Sequence, residues 1–119
     1  MGKAADFLSM PGYRKGFKSA IGYVPYPGTL NVRLFPSYAR KTSSLGRKGA
    51  KLVKGFSAKG KRFGSVRCYR ALINGRIAAF LIRPTRSRYS PSIVELVSRK
   101  RLKGSRIKSG TTVSIMVDL

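Results

Sequence analysis

The Asn74-Gly75 dipeptide narrows the folds open to this chain more than any other feature. Asn and Gly enter the left-handed backbone region at low cost, and two in succession make the type I′ turn whose twist matches that of paired strands. The flanks agree. Residues 63–73 alternate and read as a strand, and residues 76–82 return as its partner. A β-hairpin therefore sits in the middle of the chain, and the rest must fold around it.

Other segments carry the same period of two. Leu30, Val32 and Leu34 alternate with Thr29, Asn31 and Arg33, giving a strand with one apolar and one polar face. Residues 5–9, a short piece near 52–56, residues 93–97 with Glu95 at their centre, and residues 112–117 after a turn at Gly110 read as further strands. One helix stands out. Pro11 suits a first turn, Tyr13, Phe17 and Ile21 recur every four residues, and Gly22 occupies the usual C-terminal glycine position. Pro25-Tyr26-Pro27-Gly28 is a stiff loop between that helix and the strand at 29–34. Residues 99–103 read as a single basic helical turn. Most of 36–62, rich in Lys, Arg, Gly and Ser, reads as a mobile, solvated basic loop. No repeat or boundary divides the chain. The expectation is one domain, residues 1–119, folded as a small, mostly antiparallel β-barrel of about six strands with one clear N-terminal helix.

Composition then restricts the chemistry. Lys and Arg number 26 against 3 acids, a formal net charge of +23, so the partner or substrate is expected to be anionic. With no His and a single cysteine, Cys68, there is no His-based triad, no internal disulfide and no Cys-based zinc cluster. No apolar run is long enough to span a membrane, and Met1-Gly2-Lys3 lacks a signal peptide's apolar region; a cytoplasmic monomer with no membrane partner is expected. Asp6, Glu95 and Asp118 are the only acids, which leaves Glu95 as the best-placed carboxylate base. It is equally readable as a salt-bridge partner among so many cations. Thr29 and Asn31 point the same way at the mouth of the Pro-Gly loop; strand and loop-edge propensity alone would also explain them.

The run 22–34, Gly-Tyr-Val-Pro-Tyr-Pro-Gly-Thr-Leu-Asn-Val-Arg-Leu, closely resembles the signature of the archaeal CTP-dependent riboflavin kinases. The helix opening Met10-Pro11-Gly12-Tyr13 and carrying Phe17, the Phe63-Gly64 hairpin region, and the segment 86–97 with Ser87 and Glu95 match in the same order. The resemblance implies a cradle-loop β-barrel that moves the γ-phosphoryl of CTP onto the 5′-hydroxyl of riboflavin, giving FMN and CDP. It also implies Mg²⁺ held by Thr29 and Asn31, and flavin contacts from Ser87 and Glu95, with Glu95 orienting the attacking hydroxyl or taking its proton. Nucleotide contacts fall on Gly2, Lys3, Ala4 and Ala5 and on Lys100, Arg101, Leu102 and Lys103. The residue chemistry is compatible. Phosphoryl transfer asks for positioning and charge neutralisation, and two neutral oxygen ligands suit an ion that takes the rest of its shell from water and phosphate. Gly2-Lys3-Ala4-Ala5 is poorer in glycine than the family's loop, and Lys3 can supply a point charge in its place.

Two other readings accompany this one. A small basic barrel can bind RNA nonspecifically through the 40–62 loop, with Tyr38, Phe56, Phe63 and Tyr69 among the cations available for stacking. A kinase-derived scaffold without activity is the third.

Overall fold

The computed structural model describes residues 7–43, 50–85, 92–102, 107–108 and 110–117, with 40–43 described by backbone alone. Two helices have both ends among the described residues, α1 (Pro11–Ile21) and α2 (Pro36–Ser43). The strands are β1 (Leu30–Arg33), β2 (Lys51–Val53), β3 (Phe56–Ala58), β4 (Lys61–Phe63), β5 (Val66–Ile73), β6 (Ile77–Pro84), β7 (Ile93–Val97) and β8 (Ile115–Val117).

The hairpin is the frame. β5 and β6 pair antiparallel over eight residues each, from Val66↔Pro84 to Ile73↔Ile77, around Asn74 and Gly75, which have φ of 53° and 69°. β7 adds to β6, and β1 adds to β7. The other edge of β5 is divided: Val66–Cys68 pairs with β2, and Ala71–Ile73 pairs with β8. Each of these pairings, and that of β3 with β4, is antiparallel.

Both faces of the central strands are covered. On one face Tyr69, Ala71 and Ile73 of β5 pack with Leu81, Val94, Leu96 and Leu30. Among the described residues neither helix joins this cluster; Leu102, Ile107 and the partly buried Val32, Ile115 and Val117 of the sheet's own margins do. The sheet thus covers this face by curling on itself as a half-barrel. On the other face α1 lays Tyr13 and Phe17 over Val53, Val66, Cys68, Phe80, Ile82 and Val97. Burial on both sides is why 79–82 reads as an unbroken apolar run, Ala-Phe-Leu-Ile, rather than an alternation.

α1 has the expected bounds. Pro11 is in its first turn, and Gly22, at φ 90°, donates its N–H to the Lys18 carbonyl at 3.0 Å. Tyr13 donates its hydroxyl to the Gly64 carbonyl at 2.8 Å and meets Phe56 and Phe63 edge-on. A Cβ at Gly16 would lie 2.7 Å from Val53 Cγ1, so the bare backbone there lets the helix rest directly on β2.

Several expectations need correction. Phe7 and Leu8, within the stretch read as a first strand, are helical, and Leu8 is buried under the α1 side of the sheet. The stretch 63–73 is not one strand: Phe63 closes the separate β3–β4 ribbon, and β5 starts at Val66. Much of the supposed mobile loop at 36–62 is regular, with α2 starting at Pro36, then β2, β3 and β4. The described residues 99–102 make no helical turn, and 112–114 are not strand.

Candidate active site

β1 and β7 bring the two candidate regions together. Their register places Asn31 opposite Glu95, and Leu30 opposite Leu96. Thr29, one residue ahead of β1, swings its hydroxyl between them. Its Oγ1 lies 3.0 Å from Asn31 Oδ1 and 3.0 Å from Glu95 Oε1, a contact across 66 residues of sequence. One hydroxyl carries one proton and can fully satisfy only one of these acceptors. The result is a concentration of oxygen atoms with more lone pairs than donors. It grades from interior to surface: Glu95 is 7% exposed, Thr29 is half-buried and Asn31 is exposed.

That donor set fits a hard divalent cation. The oxygens are a hydroxyl, an amide and a carboxylate, and the excess of acceptors is what a cation relieves. Among the described residues no cluster of three His, Cys, Asp or Glu offers an alternative metal site. Nor, among the described residues, does any Lys or Arg pair with Glu95; its side-chain partner is the Thr29 hydroxyl. The reading of Glu95 as a salt-bridge partner thus gains no support there.

The stiff loop is tied to the far end of β7. Tyr26 donates its N–H to the Ser98 carbonyl at 2.8 Å, Ser98 donates its hydroxyl to the Ala78 carbonyl at 3.1 Å, and the Gly28 N–H closes onto the Tyr26 carbonyl at 2.8 Å. The Arg99 guanidinium lies over the Tyr23 ring at 4.5 Å, a cation–π contact. The segment before Thr29 is therefore braced against the one leading to Lys100. Sequence reasoning missed this brace because Ser98 and Arg99 carry no motif; a small polar residue ending an apolar strand was the available signal.

The other candidates are placed less closely. Lys100 and Arg101 are exposed just beyond β7. Leu102 is 5% exposed and belongs to the half-barrel core, and its carbonyl accepts the Ile107 N–H at 2.9 Å, so its side chain packs rather than faces a nucleotide. Gly2, Lys3, Ala4, Ala5, Ser87 and Lys103 lie outside the described residues.

A family model for the CTP-dependent riboflavin kinase domain, described as "Domain of unknown function DUF120", matches residues 1–117. The chain is 38% identical over 117 residues to the riboflavin kinase of Ignicoccus hospitalis, covering 98% of this chain and 65% of that protein. It is 35% identical over 120 residues to that of Methanospirillum hungatei, covering 100% and 54%. For the riboflavin kinase of Archaeoglobus fulgidus the identity is 34% over 120 residues, with 100% and 51% covered. The chain thus spans about half to two thirds of the length of the curated relatives it matches. With one family model running through nearly every residue and a β1–β7 pairing that joins the blocks carrying the resemblance, the chain belongs to the CTP-dependent riboflavin kinase family.

Proposed function

We propose that this chain transfers the γ-phosphoryl group of CTP to the 5′-hydroxyl of riboflavin, giving FMN and CDP. The observation that carries the reading is the convergence of Thr29, Asn31 and Glu95 on one hydroxyl. Thr29 and Asn31 would hold Mg²⁺, which when bound neutralises phosphate charge. Glu95 is the group suited to fix the acceptor hydroxyl and take its proton as the oxygen–phosphorus bond forms and the bond to CDP breaks. The Tyr26–Ser98 brace keeps Thr29 in place, and pre-set geometry is the larger part of what such a reaction needs. The test incubates protein, riboflavin and Mg²⁺ with each common ribonucleoside triphosphate and separates the flavins by chromatography. FMN formed with CTP supports the reading, FMN formed with another nucleotide alone removes the CTP assignment, and none formed at all sinks the activity.

A second reading concerns nucleic acid. Lys51, Lys54, Lys59, Lys61 and Arg62 are all exposed, and no acid occurs in the sequence between Asp6 and Glu95. Such a surface suits nonspecific contact with a phosphate backbone alongside the kinase reaction.

A further inference from the structure

On the sheet face opposite Glu95, two arginines stand side by side. The register pairs Arg67 of β5 with Arg83 of β6 and, on the other side, with Leu52 of β2. By strand alternation these residues share the face of Tyr69 and Leu81, whereas Ile82, the partner of Glu95, packs on the α1 side. Exposure rises towards this row: Leu52 is 51% exposed and both arginines are half-buried, while Tyr69 and Leu81, two residues further along the same face, are at 0% and 1%.

Directly opposed like charges oppose strand pairing, and guanidinium does not give up its proton. Arg83 Nε is also shielded from solvent with no hydrogen-bond partner among the described residues, a donor left unmet there at a cost. The one carboxylate among the described residues, Glu95, is on the other face. An external anion with several oxygens resolves both problems, since two guanidinium forks can share its oxygens over an apolar floor that weakens screening. We propose that Arg67 and Arg83 form a second anion site that takes a phosphate group, either free or on a small ester, or within a nucleic-acid backbone. The site is independent of whether the chain phosphorylates riboflavin.

The test compares wild type with Arg67→Gln/Arg83→Gln and with a control of equal net charge, Arg14→Gln/Lys15→Gln, whose residues are exposed on α1. Each double variant lowers the formal charge from +23 to +21, as 23 − 2 = 21. Inorganic phosphate is titrated while the thermal midpoint is followed, and a labelled short single-stranded RNA is titrated separately. Wild type and control are expected to show saturable stabilisation by phosphate, weakened about tenfold or more in Arg67→Gln/Arg83→Gln. A matching loss of RNA affinity beyond the control's identifies a nucleic-acid backbone as the source; RNA affinity equal to the control's identifies a small phosphate. If the glutamine variant does not fold, Arg67→Lys/Arg83→Lys, which keeps charge but loses the forks, is expected to show the weakened response. Equal phosphate responses in wild type and the folded arginine variant, or no saturable response in wild type, overturn the proposal.

Discussion

Asn31 is exposed and contributes nothing to either core, so its amide can be removed at little structural expense. Asn31→Ala is expected to lower Mg²⁺-dependent FMN formation by on the order of 10²-fold with an unchanged thermal midpoint. Full activity in this variant would remove Asn31 from the proposed metal site. Glu95 poses the opposite problem, being buried with a hydroxyl as partner and no paired cation among the described residues. Glu95→Gln keeps the shape and the hydrogen bond from Thr29 but loses the proton acceptor. Turnover should fall by roughly 10²-fold or more while CTP affinity changes less; intact turnover with a lowered midpoint would make the residue structural. Cys68 is a second buried group, at 0% exposure, and burial pushes its thiol up from 9.0 to about 12. The folded chain therefore keeps a proton that the unfolded chain releases above pH 9, so stability falls as pH rises from 9 towards 12. Burial raises Tyr13 and Tyr23 as well, which adds to the same slope at higher pH. Denaturant midpoints measured from pH 8 to 11 should decline in wild type and decline less in Cys68→Ala; identical slopes would contradict the assignment.

The β3–β4 ribbon shows why a basic stretch can be ordered. Lys59 and Gly60 take φ of 52° and 75°, the same double left-handed turn as Asn74-Gly75, but Lys-Gly is not a recognised turn pair and the hairpin is invisible in the sequence. The ribbon is held from behind by Phe56 and Phe63, stacked at 5.2 Å and both against Tyr13 of α1. Its entry point is Gly55, whose N–H donates to Ser65 Oγ at 3.0 Å and whose Cα faces the Phe63 carbonyl; an added Cβ would lie 2.5 Å from that oxygen. Backbone cannot move aside as a side chain can. Gly55→Ala is thus expected to destabilise the fold by about 1–3 kcal/mol, read as a lower denaturant midpoint at constant slope. A midpoint equal to wild type would mean that the 55–65 crossing tolerates a methyl group.

At the scale of the whole molecule the outstanding quantity is the net charge of +23. If the surface at 51–62 contacts phosphate backbones, the logarithm of RNA affinity should fall linearly with the logarithm of salt concentration. Replacing Lys51, Lys54 and Lys59 with Gln should reduce the magnitude of that slope by up to about 2, at roughly 0.7 per lost contact on a single strand, and leave FMN formation nearly intact. Salt-independent binding, or none at low ionic strength, would leave the charge without a nucleic-acid role. Among the described residues no helix is long and apolar enough to cross a membrane.

Local chemistry determined the hairpin at Asn74-Gly75, helix α1 with its Pro11 and Gly22 ends, strand β7 and the polar face of β1. Each depends on a few adjacent residues whose backbone preference or apolar period has one reading. Tertiary structure decided what those signals do not contain. Whether 63–73 is one strand or two turned on where the Tyr13 hydroxyl and the Ser65 side chain bond, tens of residues from one partner and ten from the other. The division of β5 between β2 and β8, and the role of Leu102 as core, follow from the curl of the sheet. The candidate site itself is of this kind. Thr29, Asn31 and Glu95 are legible as residue types and match a family pattern, but their meeting at 3.0 Å requires β1 to lie in one register on β7, and a shift of β1 by one residue would turn Thr29 and Asn31 to the face away from Glu95.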